Sequence, residues 1–166
     1  MPTIDDHGLL RAREELGWLA STAIRLAGAD AGSIGIPEGL DGLVRLGVVA
    51  APGEALEFVR IDASDTHCAR VVEGGRVVEA PASSRASGAM RDSFMQASSL
   101  QGFLGAPMVD PGGTTLGMMA VMTHETRIWS RGDITDLSSC ARLGAHAIAG
   151  HACPDPVTVA RAIARH

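Results

Sequence analysis

Apolar residues recur along the chain with two distinct periods. Near the start, Leu9, Ala12, Leu16, Leu19, Ala20, Ala23 and Ala27 fall on one stripe at 3.6-residue spacing, which predicts an amphipathic helix. Acidic residues stand at its N-terminus and Gly28 stops it. "AGSIGI" and "DGLVRLGVVAAPG" then alternate aliphatic with small or polar residues on either side of Pro37, Glu38 and Gly39, the pattern of a β-hairpin. Residues 62–74 predict a short helix capped by Ser64 or Asp65, with Cys68, Val71 and Val72 inside and Gly74 or Gly75 ending it. "RVVEAP" is a brief strand. From Ala82 to Ser99 the composition turns small and polar, and Met90, Phe94 and Met95 alone recur at helical spacing, so this stretch is expected to be a loop around one short helix. Two apolar runs flank "DPGG", whose proline and glycines suit a hairpin turn. Helical spacing returns over 131–152 through Ile134, Leu137, Ala141, Ala145, Ile148 and Ala152, with Gly144 and Ala147 small enough for close backbone approach. A last helix is expected in the tail, with Asp155 as cap and Pro156 in its first turn.

Antiparallel strands bracketed by terminal helices predict an α+β domain in which the helices share one face of the sheet and the loop with its short helix roofs the other. Residues 1–153 are read as one domain and 154–166 as a helical tail. Trp129 has a structural explanation at the junction of the last strand and last helix. Ser130 and Asp133 form a short capping box, which puts Trp129 at N′ and Ile134 at N4, the two positions of a hydrophobic staple. Arg127 is expected to bond carbonyls at the same corner.

Composition narrows the function classes. The chain has 166 residues, 46% hydrophobic and 20% charged, with a net charge of -5, which suits a single core. Its 14 basic residues are spread singly, so neither a nucleic-acid surface nor an anionic-membrane surface is expected. Three cysteines without C-x-x-C spacing, no signal pattern and no long apolar run predict a reduced, cytoplasmic setting. No phosphate-binding loop or nucleophile elbow is present, because the glycines of "GTTLGMM" lie on a strand.

"GFLGAPMVDPGGTTLGMMAVMTHETRIWSRGDITDLSSCARLGAHAI" resembles the C-terminal half of GAF domains. Gly105, Pro107, Gly117, Arg127, Trp129, Ser130 and Asp133 match that family's G-x-P strand, G-x-[LM] strand and Arg-x-Trp-Ser-x-x-Asp corner. "THCARVVEGGRVVEAP" is similar to the family's small helix and following strand, so the likeness spans about residues 8–152. It implies a GAF/PAS-like antiparallel sheet and a sensory or regulatory small-molecule-binding domain in signal transduction, without catalysis. A homodimer through the small faces Ala20, Ala23, Gly144 and Ala145 would pass the signal to an output domain or partner. The ligand, of unassigned identity, is expected between sheet and lid, against Met90, Arg91, Phe94, Met95, Phe103 and Cys68. The chain departs from the family pattern where an Asp often follows the short strand, since "EAPASSRAS" stands there.

Other chemistries fit less well. Bilin-binding relatives use a Cys-His pair, whereas His67-Cys68 has the reverse order and lies in the earlier helix. For haem, His124 ends a strand, and His146 and His151, five residues apart on a helix, point about 140° from each other. "HAC" lacks the ligand set of a closed zinc site. Free methionine sulfoxide reductases share the fold but need a cavity thiolate and a resolving cysteine nearby, while Cys140 and Cys153 fall on or beyond the final helix. A ligand-free dimerisation or docking scaffold is the non-enzymatic alternative.

Overall fold

The computed structural model describes residues 6–39, 43–64, 66–80 and 92–151; the tail 154–166 lies outside them. Helix α1 (Asp6–Ala27) is followed by strands β1 (Ala31–Glu38), β2 (Leu43–Val49) and β3 (Glu57–Asp62), helix α2 (His67–Gly74), strand β4 (Val78–Ala80), helix α3 (Ser93–Ala97), strands β5 (Gly102–Val109) and β6 (Thr115–Thr123), and helix α4 (Arg131–His151). The strands form one antiparallel sheet in the order β3-β2-β1-β6-β5-β4.

The two terminal helices share one face. Every residue of the predicted α1 stripe is buried, from Leu9 to Ala27, in a cluster with Leu137, Ala141, Ala145 and Ile148 of α4 and with Ile34, Ile36, Leu104, Met108, Met119 and Val121 of the sheet. Gly144 lies so close to the core that an added Cβ would come within 2.8 Å of the Met108 sulfur. This overturns the expected dimer face: Ala20, Ala23, Gly144 and Ala145 are consumed inside the protomer, where small residues let α1 and α4 pack on each other and on the strands. Gly117 is constrained from the backbone side, because a Cβ there would stand 2.4 Å from the Gly35 carbonyl oxygen, a contact no rotamer relieves.

Strand β3 is absent from the sequence-based expectation. It is an edge strand whose Val59 is exposed, so its alternation carries no clean apolar side. Helix α2 starts later than predicted: Thr66 is the cap, its Oγ1 accepting from the Ala69 N–H, and Ser64 instead sits in a turn where its N–H donates to Asp62. Gly75 ends α2 in the left-handed region at φ 58° and donates to the Val71 carbonyl, a glycine-ended helix. The "DPGG" turn joins β5 to β6, with Gly113 at φ 87° and Asp110 Oδ1 accepting from the Thr114 N–H at 2.8 Å.

At the β6–α4 corner the capping box closes in both directions. Ser130 Oγ accepts from the Asp133 N–H at 3.0 Å and Asp133 Oδ2 accepts from the Ser130 N–H at 2.8 Å. Trp129 is buried, Ile134 packs against the same core, and the Arg127 guanidinium lies 4.6 Å over the indole. Arg127 also donates to the Gly28 carbonyl and to Asp133, so one side chain joins the end of α1 to the start of α4.

Burial tends to raise the Asp133 carboxyl, but the bonds from Ser130 and the charge of Arg127 outweigh it and hold the group below its ordinary value. A depressed carboxylate adds stability above the ordinary carboxylate range and loses it as pH falls through the folded-state value. Asp133→Ala is therefore expected to cost about 1–2 kcal/mol at neutral pH. The difference from the parent should shrink as pH falls below about 4, as read by urea unfolding at both pH values.

Candidate functional site

The opposite face of the sheet is covered by α2 and α3. Strand alternation sends Ala31, Met118, Ala120, Met122 and Phe103 to this side, where they cluster with Leu46, with Cys68 and Val71 of α2 and with Met95 of α3. The register brings Ser33 of β1 opposite Ala120 of β6, and Ala120 opposite Gly105 of β5. This row of small residues crosses the middle strands, bordered by the longer Met118, Met122 and Phe103 in the adjoining rows. Val71 fills its β5 end, since a Cβ on Gly105 would come within 2.7 Å of the Val71 methyl group.

Asp92 holds the cover together. The residue is buried; one carboxylate oxygen accepts from the Met95 N–H at 3.0 Å and caps α3, and the other accepts from the His67 N–H at 2.8 Å at the first residue of α2. A carboxylate at a helix N-terminus is favoured by both the free N–H groups and the helix dipole. Here one residue serves two such ends.

His67 is 6% exposed and its ring meets Phe103 at a centroid distance of 5.2 Å. Burial lowers its proton affinity, opposed by the Asp92 charge and reinforced by Arg70, which leaves the imidazole neutral at neutral pH. Among the described residues its Nδ1 has no hydrogen-bond partner. Ser33, 1% exposed, lies on the same sheet face as Ala31, and among the described residues its Oγ is also without a partner. Two unpaired polar atoms thus stand beneath the cover, among apolar side chains.

The sequence-predicted site residues divide accordingly. Phe94, Met95, Phe103 and Cys68 come together in this cluster, Phe94 at its partly buried edge. Met90 and Arg91 lie outside the described residues. Sequence reasoning passed over Asp92, Ser33 and the buried placement of His67. The Asp-Ser-Phe-Met order that makes Asp92 a cap is readable, but its bond to α2, 25 residues away, is not.

The thiols are poorly disposed to react. Burial, with the Asp92 charge adding to it, pushes the Cys68 thiol up to about 12. Burial also raises the Cys140 thiol, which belongs to the cluster on the helical side of the sheet. Among the described residues no group of His, Cys, Asp and Glu is arranged to hold a metal ion, and no helix is long and apolar enough to cross a membrane.

The sequence model of the GAF domain matches residues 13–148. No curated protein matches the sequence significantly. Among solved structures, the blue-light absorbing form of the Thermosynechococcus elongatus PixJ GAF domain superposes with a TM-score of 0.68 at 14% identity, covering 98% of this chain and 96% of that one. A type II free methionine-R-sulfoxide reductase from Thermoplasma acidophilum gives 0.65 at 20%, covering 89% and 98%. A methyl-accepting chemotaxis protein gives 0.66 at 14%, covering 84% and 90%. At these identities the likeness is one of fold.

The buried thiols lead to a direct expectation. In a Cys153→Ser chain at pH 8, a thiol pushed to about 12 is ionised to only about one part in ten thousand. A disulfide reagent should therefore titrate Cys68 and Cys140 slowly in the native protein and both promptly in guanidinium. Rapid native labelling of Cys68 would refute the assignment.

Proposed function

Since the chain belongs to the GAF domain family, we propose that it is a sensory or regulatory domain of signal transduction that binds a small molecule between the sheet and the α2–α3 cover, without catalysing a reaction. The observation that carries this reading is that two of the buried polar atoms without a partner among the described residues, Ser33 Oγ and His67 Nδ1, lie beneath this cover. Leaving such a group unsatisfied costs about 1–3 kcal/mol, and native interiors keep few of them. A ligand that bonds to them recovers that cost on binding. The surrounding walls, Met95, Met118, Met122 and Phe103, favour a largely apolar ligand with one or two hydrogen-bonding groups, and methionines adapt their shape to such an occupant.

The non-catalytic part of the proposal rests on the cysteines. Sulfoxide reduction requires a thiolate that attacks sulfur and a second thiol that resolves the sulfenic acid. Cys68 is held protonated, and Cys140 belongs to the cluster across the sheet. Incubation with free methionine sulfoxide, thioredoxin and its reductase is expected to consume NADPH no faster than background.

We assign the signalling homodimer to the outward surface of the terminal helices, where Leu10, Trp18 and Leu26 of α1 and Leu143 of α4 are exposed. A ligand that favours one packing of those helices over another shifts the assembly toward it.

Native mass spectrometry of freshly purified protein tests the ligand proposal, with an adduct expected that is released on denaturation. Ser33→Val is expected to remove the adduct and to stabilise the empty chain by about 1 kcal/mol, because an unpaired polar group has gone. A bare chain mass, with Ser33→Val leaving stability unchanged, would favour the ligand-free scaffold instead.

A further inference from the structure

A cavity of about 600 Å³ opens away from the covered cluster, at the outer edge of β5. Strand β4 pairs only with Phe103–Gly105, so among the described residues the outer edge of β5 beyond Gly105 has no strand beside it. The Gly75 turn bounds the gap on one side and α4 on the other. Its lining combines apolar Val77, Pro107 and Val109 with Arg76 from the turn and with Arg142 and His146 from α4. Ser138, Arg142 and His146 follow one another at four-residue intervals and present a polar stripe beside the buried stripe of Leu137, Ala141 and Ala145.

The charge there is unbalanced. Neither Arg76, Arg142 nor His146 has a hydrogen bond or ion pair among the described residues. The one acidic lining residue is Asp110, and its Oδ1 is engaged with the Thr114 N–H in the β5–β6 turn. Two guanidinium groups therefore border one concavity in a chain whose net charge is -5. Guanidinium forks match phosphate and carboxylate oxygens in paired hydrogen bonds. The proline and valine surface between them suits a compact apolar body, and the volume lies within the range of small-molecule sites.

We propose that this groove is a binding site for a small organic anion, a phosphate or carboxylate head on an apolar body, separate from the site under the α2–α3 cover. The head is held by Arg76 and Arg142 and the body lies on Val77, Pro107 and Val109.

Isothermal titration of the full chain at low salt with inorganic phosphate and with phenyl phosphate tests this. Phenyl phosphate is expected to bind with one-to-one stoichiometry and about tenfold more tightly than phosphate, the gain expected for burying one ring face. Arg76→Gln and Arg142→Gln are each expected to weaken phenyl phosphate about tenfold or more, whereas Arg131→Gln, exposed at the start of α4 and outside the groove, should leave it unchanged. Thermal unfolding of the variants at parental temperature confirms that their fold is intact, as the exposure of both groove arginines predicts. Absence of phenyl phosphate binding at millimolar concentration overturns the proposal. So does equal affinity for the two probes, or binding that survives both groove substitutions.

Discussion

A sheet buried on both faces is the constraint on which this molecule depends. Strand β6 shows it most clearly: Leu116, Met119 and Val121 turn toward α1 and α4, while Met118, Ala120 and Met122 turn toward α2 and α3. A strand with a core on either side reads as one unbroken apolar run, and this is why "TLGMMAVM" lacks the alternation of a half-solvated strand. Each fully buried Leu or Met contributes about 1.5–3 kcal/mol of transfer free energy, so the middle strands supply much of what stabilises the domain. They also leave little tolerance for added volume. Gly117 faces a neighbouring carbonyl, and Gly47 faces Leu56, which would meet its Cβ at 2.6 Å.

The two faces are built differently. On the helical side the close approach is made by alanines and glycine, Asp133 is engaged with Ser130 and Arg127, and among the described residues the indole N–H of Trp129 is buried without a partner. On the covered side an acid bridges two short helices, a neutral histidine rests against Phe103, and two polar atoms stand without partners. Each unsatisfied buried group weakens the fold.

What the sequence made legible follows from how strongly each residue's surroundings are local. Helices α1 and α4 are read from their stripes, the β5–β6 hairpin from "DPGG", and the corner from Trp129, Ser130 and Asp133, because caps and turns are settled by neighbours within four residues. Strand β3 escaped because an edge strand with Val59 in solvent has no apolar period to detect. The small residues of α1 and α4 were misread as an outer face, since alanine at helical spacing looks the same whether it meets a second chain or the protomer's own sheet. Met95, Phe103 and Cys68, named together by family likeness, share one buried cluster, whereas the link from Asp92 to His67 depends on two segments meeting only in the folded chain.

That link has a mechanical consequence. Because Asp92 belongs to the start of α3, that helix cannot move off without taking a bond from the first residue of α2. The two short helices are thereby yoked at their N-terminal ends across 25 residues of chain, while α2 keeps a cap of its own at Thr66.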